Sequence, residues 1–556
     1  MLLRLLKLNK LIILFLLVFS CSSDGGDHSV DNGGNGGNEN NKIIPSDLNY
    51  TVQIQGSNSN ALGNGSGKVN FTASATNSVK YSFRFGDGGT KESSTGSVEH
   101  TYTKIGTHQY NTRVLAYSST NDYISSDKSI SVLVSPESDH ELVKLLAGDS
   151  EKTWKINAAF DAHFANGSSD HRYPSYFEAE AFSKNNSGFY DDEYTFNVNG
   201  TYTHKTNGDV YGKAAHLKND FGDTGQSQNA DGEIEKYAKA NYSDSYFVYK
   251  SDNENKLEFL SQSFIGFYVG EKKFTIECHD GNNLLLRTVD NNSTAWYVWL
   301  TTDNISTVPS KNKYKPENGG KLIWSDEFNY SGKLDTNKWN FEVRNQWYNN
   351  ELQATTNLQE NAKVEDGVLK ITALKKSQGG KEYTSARVRT HKIDNLQGLD
   401  FMYGRVDVRA KMPSKKGTWP AIWMLGSNYS TNGNGLDWPH CGEIDILEHT
   451  GNHLNMAQMT AHHPDVSPGV GDTKKVYDYN DLSTNFHVYS LVWTPQALSF
   501  YIDDKLHHVV GNACSLPYNW NFNIILNIAM GGDMGGQVDP NFDSDTMEVD
   551  YVRVYQ

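Results

Sequence analysis

The stretch Cys441-Gly-Glu443-Ile-Asp445-Ile-Leu-Glu448-His449 sets three carboxylates among apolar neighbours. On a strand, side chains at i and i+2 share a face, so Glu443 and Asp445 point together. Ile444 and Ile446 then point the other way, toward a core. Glu448, five positions after Glu443, would join them on a regular strand, and a buried unpaired carboxylate is costly. One extra residue around Ile446-Leu447, a β-bulge, returns Glu448 to the polar face. A solvated acidic strand would not alternate with isoleucines in this way. Three crowded carboxylates oppose simultaneous ionisation, so at least one must hold its proton to a higher pH. That pairing of a proton donor with an ionised neighbour suits nucleophile and acid/base work on a glycosidic bond, where retaining chemistry needs two carboxyls about 5–5.5 Å apart.

The segment that must position these groups, 321–556, carries eight of the 11 tryptophans. It opens with Trp324-Ser-Asp-Glu327-Phe328 and continues with Asn349-Asn350-Glu351-Leu-Gln353 and Tyr383-Thr-Ser-Ala-Arg387. Next come Gly417-Thr-Trp419-Pro-Ala-Ile-Trp423-Met-Leu-Gly426 and Phe486-His-Val-Tyr-Ser-Leu-Val-Trp493. It closes with Ile525-Leu-Asn527-Ile-Ala-Met-Gly531-Gly532 and Val549-Asp550-Tyr551-Val-Arg553-Val-Tyr555. These blocks, in this order around E-I-D-I-L-E, resemble the laminarinase-like branch of glycoside hydrolase family 16. The resemblance implies a concanavalin-like β-jelly-roll of two curved antiparallel sheets with the cleft on the concave face.

The resemblance also implies roles. Glu443 would be the nucleophile, Glu448 the general acid and then base, and Asp445 the modulator of the pair. Asn350, Arg387, Trp419, Trp423, His462 and Asn527 would bind substrate, although one of the two tryptophans could belong to the core. One structural calcium on the convex face would take Glu327, Asp550 and the Gly367 carbonyl, donor types that suit a hard cation; no cofactor would be needed for catalysis. His463 beside His462 invites a metal reading, but no third ligand is spaced for zinc. Met534 stands near a point where many laminarinases carry tryptophan, and the insertion Ser427–His440 could shape one cleft wall.

The rest of the 556 residues exceeds one domain. Residues 1–21 carry Arg4, Lys7 and Lys10, then the apolar run Leu11–Phe19, then Cys21: a lipoprotein export signal with Cys21 as the lipidated residue, although Phe19 departs from the usual lipobox. The Gly/Asn-rich stretch 22–45 reads as a flexible tether. In 46–135, Phe83 and Phe85 share a strand face before the turn Asp87-Gly88, and the pattern resembles an Ig-like PKD β-sandwich. Segment 138–305 is β-rich, with a hairpin signal at Asn199-Gly200 after Tyr194, Phe196 and Val198, and fits a sandwich or barrel. Its Trp154, Trp296 and Trp299 either stack on sugar or fill its core, and Asp191-Asp192-Glu193 reads as a solvated acidic turn. Residues 306–320 read as a linker. Cys278, Cys441 and Cys514 form no disulfide framework and read as buried small side chains, with a Cys441–Cys514 bridge as the alternative.

A net charge of -16 excludes a nucleic-acid partner but does not repel a neutral polysaccharide. The sequence therefore predicts an all-β, multidomain, exported outer-membrane lipoprotein, exposed at the cell surface beside glycan-uptake proteins. Its expected activity is retaining endo-β-1,3-glucanase, with mixed-linkage β-glucan as a second substrate. The alternatives are a family 16 hydrolase of marine galactans and a non-catalytic glycan-binding lipoprotein.

Overall fold

The structure is a computed structural model that describes residues 42–556 apart from 59–60, 105, 136, 392–397, 432 and 467–470. The export signal, Cys21 and the tether as far as residue 41 lie outside the described residues. The chain divides into two units, Met1–Ser135 and Pro136–Gln556.

In the first unit a three-stranded sheet (Ser46–Ile54, Lys68–Thr76, Ser97–Thr101) faces a four-stranded one (Thr90–Ser93, Lys80–Arg84, Gly106–Tyr117, Tyr123–Val134). Phe71, Phe83 and Phe85 are completely buried between them. The turn residue Asp87 is held by His100, whose Nε2 lies 2.7 Å from its carboxylate and whose ring stacks on Phe85 at 3.9 Å. This is the Ig-like sandwich expected from the sequence.

The second unit contains both remaining segments. In the first of them, eight antiparallel strands run from Glu151–Ile156 round to Thr294–Thr301, and the pairing of Leu300 with Ile156 closes them into a ring. The Asn199-Gly200 turn joins Glu193–Asn197 to Thr201–Lys205 as expected. Trp154 and Trp296 fill the barrel, so neither is a sugar platform. Asp192 departs from the solvated turn expected of it. It is fully buried, 3.1 Å from the His204 Nε2, and accepts a hydrogen bond from the Tyr194 hydroxyl.

The barrel wall strands Asn283–Val289 (NLLLRTV) and Thr294–Thr301 (TAWYVWLT) are apolar on both faces. Leu284, Leu286, Trp296, Val298 and Leu300 point into the barrel. Leu285, Ala295, Tyr297 and Trp299 point out and join the hydrophobic core of the C-terminal segment. Sheets covered on both faces read as continuous apolar runs, and this is the reason here. Cys278 lies on the same outer face and forms a disulfide with Cys514, while Cys441 is free and buried. The cysteine reading is thereby corrected: a bridge exists, and it crosses 236 residues to tie two segments rather than linking Cys441 to Cys514.

The 306–320 stretch is pinned rather than loose. Ser310 is buried, its N–H bonds the Ala159 carbonyl, and its hydroxyl reaches Asp161. Asp161 also accepts hydrogen bonds from Ser499 and Tyr501 of the C-terminal segment. Arg405 donates to the Lys311 carbonyl, and Lys315 pairs with Asp504 at 2.8 Å.

The C-terminal segment is a two-sheet sandwich. One sheet orders seven strands as Asn340–Phe341, Arg387–Arg389, Phe522–Met530, Thr418–Gly426, Glu443–Glu448, Ala457–His462 and Asp472–Val476. The other has ten strands and pairs the first of the segment, Leu322–Asp326, with the last, Ser544–Tyr555. Ile422, Met424, Ile444, Met459, Ile524 and Ile528 face the core between the sheets. Their neighbours Ala421, Trp423, Leu425 and Ile525 form a second apolar cluster on the opposite face.

Candidate active site

Strand Glu443–Glu448 is the fifth of seven in its sheet, flanked by Thr418–Gly426 and Ala457–His462. Its register carries the bulge that the carboxylate spacing requires. On one side Trp423 pairs with Asp445 but Ile422 pairs with Leu447, leaving Ile446 as the extra residue. On the other, Asp445 pairs with Thr460 and Glu448 with Gln458. Ile444, Ile446 and Leu447 are all buried in the core, so both residues of the bulge stay apolar while Glu448 turns to the cleft.

The cleft face gathers the predicted groups. The Trp419 indole N–H donates to Glu448 Oε1 at 3.0 Å, and the Gln458 amide to Glu448 Oε2 at 2.9 Å. His462 Nε2 lies 3.2 Å from Asp445 and 3.7 Å from Glu443. Gln458 and His462 share a face of the adjacent strand with Thr460, an i, i+2, i+4 series. His462 was expected from the sequence and Gln458 was not, although the same alternation places it on that face. The Trp438 ring of the 427–440 insertion stands 5.6 Å from His462, so the insertion does contribute to the wall.

Burial, and then the charge of Asp445, push the Glu443 carboxyl up to about 8, against the pull of His462 and Arg387. Asp445 is raised well above the usual range by burial and by Glu448. Glu448 is raised by burial and drawn back by Trp419, His462 and Gln458. All three move in one direction, so the cluster retains a proton near neutrality, as the crowding in the sequence requires.

Arg387, Asn527, Ala421 and Glu448 form one row across four strands. The Arg387 guanidinium lies between the rings of Trp347 and Trp423, 4.5 Å from each, and donates to Glu342. Burial pushes the Glu342 carboxyl up, but Arg387, Arg389 and Arg344 outweigh it and hold it below its ordinary range. Asn527 accepts the Trp423 indole N–H at 2.7 Å. These contacts make Arg387 and Asn527 supports for the Trp423 ring on the cleft floor. Trp423 is therefore a cleft-face residue, although only 9 % exposed. Asn350 is exposed and donates to Asp533 at 2.7 Å.

The residues expected to hold calcium have other side-chain partners. Strand pairing brings Glu327, Gly367 and Asp550 together beside the middle of strand Ser544–Tyr555, where its two partner strands meet. There Arg553 holds Glu327 through two bonds of 2.9 and 2.7 Å, and Arg409 holds Asp550. Each carboxylate thus has a guanidinium partner, which a calcium ion would have to displace. Among the described residues, Glu443, Asp445 and His462 bring three ligating atoms within 4.8 Å of one another, but that cluster is the candidate catalytic centre. His463 faces away from it, edge-on to Tyr173 at 4.8 Å, so the adjacent histidines do not chelate together.

Residues 349–553 match Glycosyl hydrolases family 16, and 51–119 match the PKD domain. A β-glucanase of Rhodothermus marinus is 40% identical over 263 residues, covering 42% of this chain and 85% of the relative. A glucan endo-1,3-β-glucosidase of Cryptopygus antarcticus is 36% identical over 258 residues, covering 42% of this chain and 90% of the relative. The solved structure of LamAcat from Zobellia galactanivorans is 43% identical and covers 42% of this chain and 98% of that one, with a TM-score of 0.38.

Proposed function

The chain belongs to glycoside hydrolase family 16, and from that premise we propose that its C-terminal segment is a retaining endo-β-1,3-glucanase that also accepts mixed-linkage β-1,3-1,4-glucan. The observation that carries the reading is the bulged strand with Glu443, Asp445 and Glu448 on one cleft face. Its substrate class follows the relatives, which are named β-glucanase and glucan endo-1,3-β-glucosidase.

In this mechanism the Glu443 carboxylate attacks the anomeric carbon while Glu448 gives its proton to the departing glycosidic oxygen. The C–O bond breaks, and the sugar is held as an ester of Glu443. Glu448, now ionised, takes a proton from water, and the resulting attack frees the sugar with its configuration retained. When Glu443 attacks as the carboxylate, Glu448 holds the proton it donates. The N–H groups of Trp419 and Gln458 then stabilise Glu448 after it has given its proton away. No metal or cofactor takes part in any of these steps.

The deciding experiment is reducing-sugar release by the full chain and by Glu443→Gln, on laminarin, barley mixed-linkage glucan, agarose and carrageenan. The expected result is laminarin cut to a spread of oligosaccharides, with at least about 1,000-fold loss in the variant and binding retained. Cleavage of galactans alone would replace the substrate; cleavage of nothing would favour a glycan-binding protein. We also propose export and lipid anchoring at Cys21, which would keep the enzyme at the outer membrane next to glycan-uptake proteins. Radiolabelled palmitate should enter the wild-type chain, and Cys21→Ser should abolish incorporation.

A further inference from the structure

We propose that Tyr173, contributed by the barrel segment, is a positioning residue for the catalytic centre: it holds His463, and with it the end of the strand that carries His462 to Asp445 and Glu443. The inference rests on the hydrolase reading above and adds to it a residue from outside the matched region.

His462 is the last residue of strand Ala457–His462, and His463 follows it. Consecutive side chains leave a strand in opposite directions, so one imidazole faces the carboxylates and the next faces inward. His463 is 1 % exposed, and neither ring nitrogen has a hydrogen-bond partner among the described residues. A buried imidazole without a hydrogen bond lacks a directional anchor of its own, and its place is set by the rings around it. Those rings are Tyr173, edge-on at 4.8 Å and 82°, and Tyr518 at 6.1 Å. Burial pushes His463 down to about 4, so it packs as a neutral ring.

Tyr173 is itself fixed. It is 3 % exposed and belongs to the core of the C-terminal segment. Its neighbour Arg172 makes two bonds of 2.8 and 2.6 Å to Glu277, and Ser515 donates to the Arg172 carbonyl. Pro174 packs on Gly511, where a Cβ would approach within 2.7 Å of the proline ring. The Tyr173 hydroxyl has no hydrogen bond among those described, so the ring carries the contact. On its other side His462 is confined by Trp438 and by Gly471, whose missing side chain leaves room for the imidazole. Removing the Tyr173 ring frees the strand end on the inner side only, and His462 then moves relative to Asp445 and Glu443.

The pH profile separates positioning from simple packing. Glu443 is faced by Asp445 and Glu448 on its own strand, by His462 on the next, and by Arg387 across the sheet. His462 lowers the Glu443 and Glu448 pKa values; moving it away lets Glu443 rise, so the acidic limb of activity shifts to higher pH.

The experiment compares Tyr173→Leu, Tyr173→Phe and Ser499→Ala in the full chain. Ser499→Ala cuts an interdomain hydrogen bond to Asp161 and serves as the control for general loosening. Measured are kcat, KM, the pH profile on laminarin, Tm, and modification of His462 by diethyl pyrocarbonate read by mass spectrometry. Tyr173→Leu removes the ring and leaves a smaller apolar side chain; it should lose about tenfold or more in kcat with little change in KM. It should also move the acidic limb upward and expose His462 to the reagent. Tyr173→Phe should restore all three, and Ser499→Ala should lower Tm alone. A Tyr173→Leu protein with wild-type kcat, pH profile and His462 reactivity overturns the proposal, whatever its Tm. A wild-type chain inactive on every glucan overturns the hydrolase reading instead, and the His462 reactivity still tests the contact.

Discussion

Glu448 receives an N–H on each oxygen, from Trp419 and from Gln458, and both contacts favour its ionised form. Trp419→Phe removes one of them. The Glu448 pKa should rise further, so the alkaline limb of the pH profile should move to higher pH while kcat falls about tenfold. Glu443 raises a question of stability as well as of rate. Its carboxyl is raised from 4.5 to about 8 in the fold, so the folded chain binds this proton more tightly than the unfolded chain. The stability this supplies is full below about pH 4.5 and is lost as pH rises to about 8. Glu443→Gln fixes the neutral state. It should therefore raise Tm at pH 8 by more than at pH 4.5, a difference that calorimetry at the two values reads directly.

Among the elements, strand Asp472–Val476 is entered through Gly471, which lies against His462. Gly471 has φ +62°, and a Cβ there would lie 2.4 Å from the Thr460 methyl and 2.9 Å from the His462 ring. Gly471→Ala should cost at least ~1 kcal/mol in a denaturant melt and lower kcat as well. The bulge of the catalytic strand was legible because three carboxylates and three apolar residues admit one arrangement that buries only the latter. Phe83 and Phe85 were legible by the same alternation, and the Asn199-Gly200 turn by its residue types. Two features escaped that logic. The pairing of Glu327 with Arg553 and of Asp550 with Arg409 depends on which side chains meet across strands far apart in sequence. The apolar outer face of the barrel was visible as the non-alternating runs NLLLRTV and TAWYVWLT, but such runs state that both faces are covered without naming the cover.

At the scale of the whole molecule, the barrel and the jelly-roll share one core and one disulfide. Tyr173, Leu285, Tyr297 and Trp299 lie in that shared core. At about 1.5–3 kcal/mol each, an upper bound, their burial is comparable to the whole stability of an ordinary domain, about 5–15 kcal/mol. A fragment of residues 321–556 should therefore melt at least ~10 °C below residues 136–556, or aggregate. Reduction of Cys278–Cys514 in the intact protein should remove about 2–4 kcal/mol, seen as a lower Tm with activity retained beneath it.

The shared core also imposes an order in time. The barrel is made first, and its outer wall of Leu285, Tyr297 and Trp299 emerges with nothing to cover it. The turn bearing Cys514 follows more than two hundred residues later. Until then a finished barrel carries a sticky flank, and its Cys278 thiol waits for a partner not yet delivered. On the proposed export route, chaperones and the disulfide-forming machinery would meet this intermediate on every molecule produced.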